Sequence, residues 1–136
     1  MDHNCPEISV KADPIVMYLV VRESLAMSPG KIGAQVGHAV MMLMMEYLPD
    51  RHRPITKREY ELHVLTREWL AGEYGKIVLT ASDNEFEKIK LEYPTEHFLV
   101  VDNGHTEVAS GSETCIGLWP QRKSQRSKTL KRLRVL

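Results

Sequence analysis

The chain has two cysteines, no long apolar run and no net charge, and each shortage removes a class of protein. Cys5 and Cys115 lie far apart and form no CxxC pair. Two unpaired thiols in a reducing cytoplasm are expected, with one Cys5–Cys115 disulfide as the alternative. The longest apolar run, Ala39-Val40-Met41-Met42-Leu43-Met44-Met45, falls far short of the ~20 residues that span a bilayer. Met1–Pro14 is polar and has no apolar core of signal-peptide length. These two absences predict a soluble, cytoplasmic protein with no membrane partner. No GxSxG elbow and no P-loop occur, which excludes a serine-hydrolase nucleophile and a Walker-type nucleotide site. The six histidines (His3, His38, His52, His63, His97, His105) show no zinc-ligand spacing with the cysteines, so no metal is predicted.

The zero net charge hides an asymmetry. Seven basic residues (Arg122, Lys123, Arg126, Lys128, Lys131, Arg132, Arg134) and no acidic one lie between Gln121 and Leu136, leaving a net of −7 on residues 1–120. A basic end on an acidic body suits a polyanion such as RNA, and equally suits a solvated tail.

At 136 residues, 43% hydrophobic and 26% charged, the chain has room for one domain with a single core. We place it at 15–136, behind a polar leader at 1–14. Ile15–Val21 is a continuous apolar run rich in β-branched residues, which predicts a strand buried on both faces of a sheet. Ser28-Pro29 supplies a helix start, and the helix continues through Lys31–Tyr47. Pro54-Ile55-Thr56 opens a second helix with capping-box spacing to Glu59, and Tyr60, Val64 and Trp69 are its expected buried stripe. Strands follow at Lys76–Thr80, His97–Val101 and Glu113–Leu118, with a helix at Ser82–Leu91 and a short basic helix at Ser124–Leu133. The expected architecture is α/β: a four-stranded mixed sheet flanked by helices, in the order β-α-α-β-α-β-β.

Two segments could carry chemistry. On the first helix, Lys31, Gln35 and His38 fall within roughly 60° of one another at 100° per residue. Ile32, Val36, Ala39, Val40, Leu43 and Tyr47 fall on another face, suited to packing on the sheet. One cation, one amide and one imidazole make an unusual polar face. Gly33 and Gly37 add about 1 kcal/mol each of helix destabilisation, so a close approach by sheet or substrate is expected to compensate. The helix N-terminus beside Lys31 suits a phosphate or carboxylate. A solvated helix face is the plain alternative.

The second segment is Asp102-Asn103-Gly104-His105-Thr106, where strand polarity ends abruptly. Strand ends of α/β sheets are favoured ligand positions. A carboxylate, an amide, an imidazole and a hydroxyl here could position water or a sugar, although Asn-Gly alone is also an ordinary turn. Gly111-Ser112-Glu113-Thr114 follows as a second hydroxyl-rich approach to a strand.

Together these residues resemble a known family. Tyr18-Leu19-Val20-Val21-Arg22, then Met27-Ser28-Pro29-Gly30-Lys31-Ile32-Gly33-Ala34-Gln35-Val36-Gly37-His38-Ala39, is similar to the opening of the second class of peptidyl-tRNA hydrolases. Asp102-Asn103-Gly104-His105-Thr106-Glu107-Val108, Gly111-Ser112-Glu113-Thr114 and Gly117-x-x-Pro120 resemble its later elements. Asn103 and Gly33 stand where that family usually has Ala, Val36 where Cys is frequent, and His105 where a basic residue is common. The stretch from Leu48 to Gly72 also looks longer or differently filled.

The resemblance implies hydrolysis of the ester joining peptide to tRNA, no cofactor, and a homodimer. Carried over, its active-site set is Lys31, Gln35, His38, Asp102, Thr106 and Thr114. Asn103, Gly104, His105, Arg122 and Lys123 are the candidate substrate contacts. In this reading Asp102, oriented by Thr106, serves as general base, and Lys31 stabilises an oxyanion or grips a phosphate. Gln35 orients the substrate, and His38 carries a proton or braces the helix. A non-catalytic RNA-binding adaptor of the same fold, or a hydrolase of another acylated substrate, are the other readings.

Overall fold

A computed structural model describes residues 13–48 and 56–136. Residues 1–12 of the leader, with Cys5, and the connector that includes Pro54 and Ile55 lie outside the described residues. Strand β1, Ile15–Arg22, is buried from Val16 through Val21, as its unbroken apolar run requires. Its side chains alternate between two cores. Val16, Tyr18 and Val20 face one cluster, and Met17, Leu19 and Val21 the other.

The second cluster is covered by α1 (Pro29–Tyr47) and α2 (Lys57–Ala71). The first is covered by α3 (Asp83–Glu92) and α4 (Lys128–Arg132). Each helix opens on a hydroxyl cap: Ser28, Thr56, Ser82 and Ser127 accept from the backbone N–H three residues on. Thr56 and Ser82 complete capping boxes with Glu59 and Glu85.

The sheet has six strands, which corrects the expected four. Besides β1 it contains β2 (Lys76–Ala81), β3 (His97–Val101), β4 (Glu113–Leu118), β5 (Gln121–Arg122) and β6 (Arg134–Val135). Its spatial order is β3-β4-β1-β2-β6, with β5 pairing the start of β1. Only β1 and β2 pair in parallel. Chain order therefore runs past the seven expected elements, through β5, α4 and β6. Two-residue strands have no periodicity to read, and they form because neighbouring strand edges offer unpaired backbone groups.

Three local expectations also change. The basic segment at 124–133 is a 3-10 turn, Lys123–Gln125, followed by the short α4. Helix α2 buries Leu62, Thr66 and Trp69, spaced i, i+4, i+7, while Tyr60 is 58% exposed because it lies on the opposite side. Gly33 and Gly37 have no atom within 4 Å of an added Cβ, so no close packing by the sheet requires them. The glycine that does mark a close approach is Gly117. A Cβ there would meet Ala39 Cβ at 2.9 Å and Met17 Cε at 3.3 Å, so Gly117 lets α1 settle onto β4.

Candidate active site

Because β1 and β2 are parallel and β4 runs against both β1 and β3, the carboxyl ends of β1 and β3 meet the amino end of β4 at one edge. Helix α1 begins at that edge and presents Lys31 and Gln35 to it. Asp102 follows β3 directly, and Thr114 sits near the start of β4.

A β-bulge sets the last of these. Val100 pairs with Cys115 but Val101 pairs with Glu113, so Thr114 is the extra residue in the ladder. By simple alternation Thr114 would join Ile116 in the α3 core, and Glu113 would join Cys115 on the α1 side. The bulge exchanges them. Glu113 instead accepts from Lys90 of α3 at 2.8 Å, and the Thr114 hydroxyl donates to Gln35 Oε1 at 2.6 Å.

That bond fixes the Gln35 carboxamide, which is only 2% exposed. Its Nε2 then points at Asp102 Oδ1, 3.4 Å away. The same Oδ1 accepts from Lys31 Nζ at 2.7 Å, and Lys31 Nζ also donates to Thr106 Oγ1 at 2.7 Å. The other Asp102 oxygen accepts from Gly104 N at 2.6 Å. Gly104 has φ +81°, and an added Cβ would strike the Ser110 backbone at 2.7 Å, so this turn needs glycine. Asp102 is 8% exposed, and the Lys31 side chain 10%. The hydrogen bond from Lys31, helped by the one from Gly104, holds the Asp102 carboxyl below the usual carboxylate range.

The set opens into a cleft of about 510 Å³, lined by Lys31, Gln35, His38, Asp102, Thr106 and Glu107 among others. That lies within the size range of small-molecule sites. Some hydrogen-bonding capacity remains unused there. Lys31 has three N–H groups and two described acceptors; Thr106 accepts from Lys31, so its own hydrogen is free to turn elsewhere. The side chains of His38 and Asn103 line the cleft without a hydrogen bond to any described residue, and His105 also lines it. Among the described residues, no three His, Cys, Asp or Glu side chains converge as metal ligands would. No helix among them is long and apolar enough to cross a membrane.

Arg122 and Lys123 are not part of this cleft. Arg122 pairs with Ile15 at the opposite end of β1, roughly 23 Å away by strand rise. Its guanidinium reaches the Asp13 carbonyl at 3.1 Å and Glu68 at 3.4 Å. Two residues at the cleft were visible in the sequence but not singled out for the site. The sequence offers Ser28 only as a cap, and Glu107 only as part of the family-like segment Asp102–Val108, with no site role. Glu107 accepts from Ser28 N at 2.8 Å and from the Ser28 hydroxyl, so the helix end that suited a phosphate already holds a carboxylate of the chain itself. No spacing rule pairs residues 79 positions apart.

Fold and site define a class: a small α/β protein whose strand ends hold a lysine–aspartate pair in an open polar cleft. The family model for peptidyl-tRNA hydrolase PTH2 matches residues 15–136. A peptidyl-tRNA hydrolase of Methanopyrus kandleri is 33% identical over 112 residues, covering 79% of this chain and 85% of that protein. One from Sulfurisphaera tokodaii is 34% identical over 110 residues, 76% of this chain and 84% of the relative. The peptidyl-tRNA hydrolase 2 of Saccharomyces cerevisiae is 30% identical over 79% of this chain, which spans only 51% of that longer protein. The chain belongs to the peptidyl-tRNA hydrolase PTH2 family.

Proposed function

We propose that the chain hydrolyses the ester between peptide and tRNA in peptidyl-tRNA, with the reaction centred on Asp102 and Lys31. The observation that carries this is the continuous hydrogen-bonded set Thr114–Gln35–Asp102–Lys31–Thr106 opening into one cleft. The bonds from Lys31 and Gly104 favour the charged form of Asp102, and the lone pair left on its second oxygen holds a water against the ester carbonyl. As the water oxygen attacks, its proton passes to Asp102. Charge developing on the carbonyl oxygen meets the unused Lys31 N–H and the Thr106 hydroxyl hydrogen. The C–O bond to the ribose then breaks, and the leaving oxygen takes up the proton that Asp102 received, carried across by His38, exposed on the cleft wall, so that Asp102 returns to its starting form. The products are a free carboxylic acid and a tRNA with its terminal hydroxyl restored.

Gln35 takes a different part from the one expected. Its carboxamide is committed to Thr114 on one side and Asp102 on the other, so it orients the carboxylate rather than the substrate. Asn103 and His105 line the cleft, with Gly104 in the turn between them, and are our candidate contacts to the terminal nucleotide. Arg122, Lys123 and the basic residues after them offer contacts to a more distant part of the tRNA backbone, with an affinity that falls steeply with salt. The expected homodimer has an apolar face available in the exposed Met41, Met45 and Leu48. A cytoplasmic, metal-independent enzyme completes the reading.

The deciding experiment is release of deacylated tRNA from N-acetylaminoacyl-tRNA, with chelator present and an Asp102→Asn control. Release by the wild type alone supports the reading. Binding without release favours an RNA-binding adaptor. Neither binding nor release points to another ester, and release abolished by chelator rejects metal independence.

A further inference from the structure

The loop between β3 and β4 closes at its base through its own backbone. Asp102 N donates to Ser112 O at 2.9 Å, and Gly111 N to Asp102 O at 2.8 Å. Its tip is tied down by Glu107. One oxygen of that carboxylate accepts from Ser28 N, the other from the Ser28 hydroxyl. Ser28 Oγ in turn accepts from Lys31 N at 3.2 Å as the cap of α1. The Lys31 side chain then returns to Thr106, the residue beside Glu107. The ring is closed, and it includes two of the groups assigned to the reaction, Lys31 and Thr106.

The backbone shows why the ring needs Glu107. Its φ is +24°, a region that residues with a Cβ rarely enter, and Val108 N bonds to Thr106 O around it in a tight turn. Such a conformation persists only where its surroundings over-determine it. Ser28 is the only side-chain partner of Glu107 among the described residues, and Lys31 the only one of Thr106.

We propose that Glu107 is a positioning residue: by latching the loop tip to the Ser28 cap, it holds the Thr106 hydroxyl at Lys31. The proposal rests on the reading of Lys31, Asp102 and Thr106 as the hydrolytic set. Glu107 makes no hydrogen bond to Lys31 Nζ or Asp102; beyond its charge, which Lys31 feels, it acts through Thr106 and the first turn of α1. Its charge also occupies the positive end of the helix, leaving the Lys31 ammonium as the group that meets substrate anion.

The test combines kinetics on N-acetylaminoacyl-tRNA with hydrogen exchange. Glu107→Ala is expected to lower kcat about 10- to 100-fold, the scale of a small misplacement of reacting groups, with KM changed less than about twofold. Glu107→Gln, which keeps an acceptor for Ser28 N–H, should lose less. In Glu107→Ala the exchange of Ser28 and of amides at 103–111 should quicken while the sheet stays protected. The double variant Glu107→Ala/Thr106→Val should fall no more than about twofold below Thr106→Val alone, because both changes remove one function. Wild-type kcat in Glu107→Ala, multiplying losses in the double variant, or unchanged loop exchange would each overturn the latch. If Glu107→Ala does not fold, Glu107→Gln and Glu107→Asp carry the same comparisons. A wild-type chain that hydrolyses nothing sinks the functional reading instead, and loop exchange alone then decides the latch.

Discussion

The two ends of β1 carry similar residues and do different things with them. At the amino end, Asp13 accepts from the backbone and hydroxyl of Ser124, Arg122 reaches Glu68, and Arg58 meets Glu96 at 2.6 Å. Tyr93 donates to Gln121 at 3.1 Å. These groups satisfy one another, and the ion pairs are largely open to solvent. At the carboxyl end, Lys31, Gln35, Asp102 and Thr114 are shielded from water, yet Lys31 and Thr106 retain unused donors where they line the cleft. Charge alone therefore does not mark the site. A cluster of shielded polar groups with unspent donors beside an open cleft does, since desolvation strengthens each interaction they offer; the lone buried Tyr18 hydroxyl, without a partner among the described residues, opens onto no such cleft.

The largest test of that contrast removes the central cation. Lys31→Ala should lower kcat by about 10²- to 10³-fold, the usual loss when a donor to a developing oxyanion is deleted. A loss below tenfold would put the reacting centre elsewhere. The same variant has a spectroscopic readout in the Asp102 carboxyl. A depressed carboxyl is charged, and its bonds to Lys31 and Gly104 persist, until pH falls through its folded value; in the wild type NMR should place that midpoint below the ordinary ~3.9. In Lys31→Ala the midpoint should rise, since Lys31 is the leading cause of the depression.

Next in size, Gly117→Ala should destabilise the fold by about 1–3 kcal/mol through overpacking against Ala39, measured by urea unfolding. Neutrality would show that α1 can shift without penalty. Thr114→Val leaves the buried Gln35 Oε1 without its donor and should lose about 1–3 kcal/mol, together with a drop in kcat. Unchanged turnover would mean that Gln35 does not orient Asp102. The smallest effect belongs to the other end. Arg58→Gln, in an exposed pair, should change stability by less than about 1 kcal/mol and leave kcat alone. A catalytic defect there would erase the distinction between the two ends.

Much of this could be read from the chain itself, where the signal was local. The unbroken run Ile15–Val21 marked the central strand, and Ser28-Pro29 and Thr56–Glu59 marked helix starts to the residue. The lysine, the amide and the carboxylate of the cleft lie in two segments whose composition departs from an ordinary surface. What escaped depends on distant partners. The edge strands β5 and β6 have no pattern of their own. Tyr60 was assigned by hydrophobicity to a stripe that helix phase gives to Leu62 and Thr66. The Ser28–Glu107 contact and the exchange of Thr114 with Glu113 exist only once β3, β4 and α1 are assembled.

Cys115 shows the same dependence on context. Full burial pushes its thiol up to about 12, so it is a core residue despite its nucleophilic side chain.

The bulge at Thr114 has a bearing on how the chain can change. A substitution in β4 alters one side chain, whereas deletion of one residue just before it, at 111–112, would draw the bulge out and restore simple alternation along the whole strand. Thr114 would then turn toward Ile116 and α3, and Glu113 would swing toward Gln35, setting a second carboxylate beside Asp102. Chain length through 111–114 is thus a coordinate of the active site in its own right, and variation in this stretch is constrained to replacement rather than to insertion or deletion.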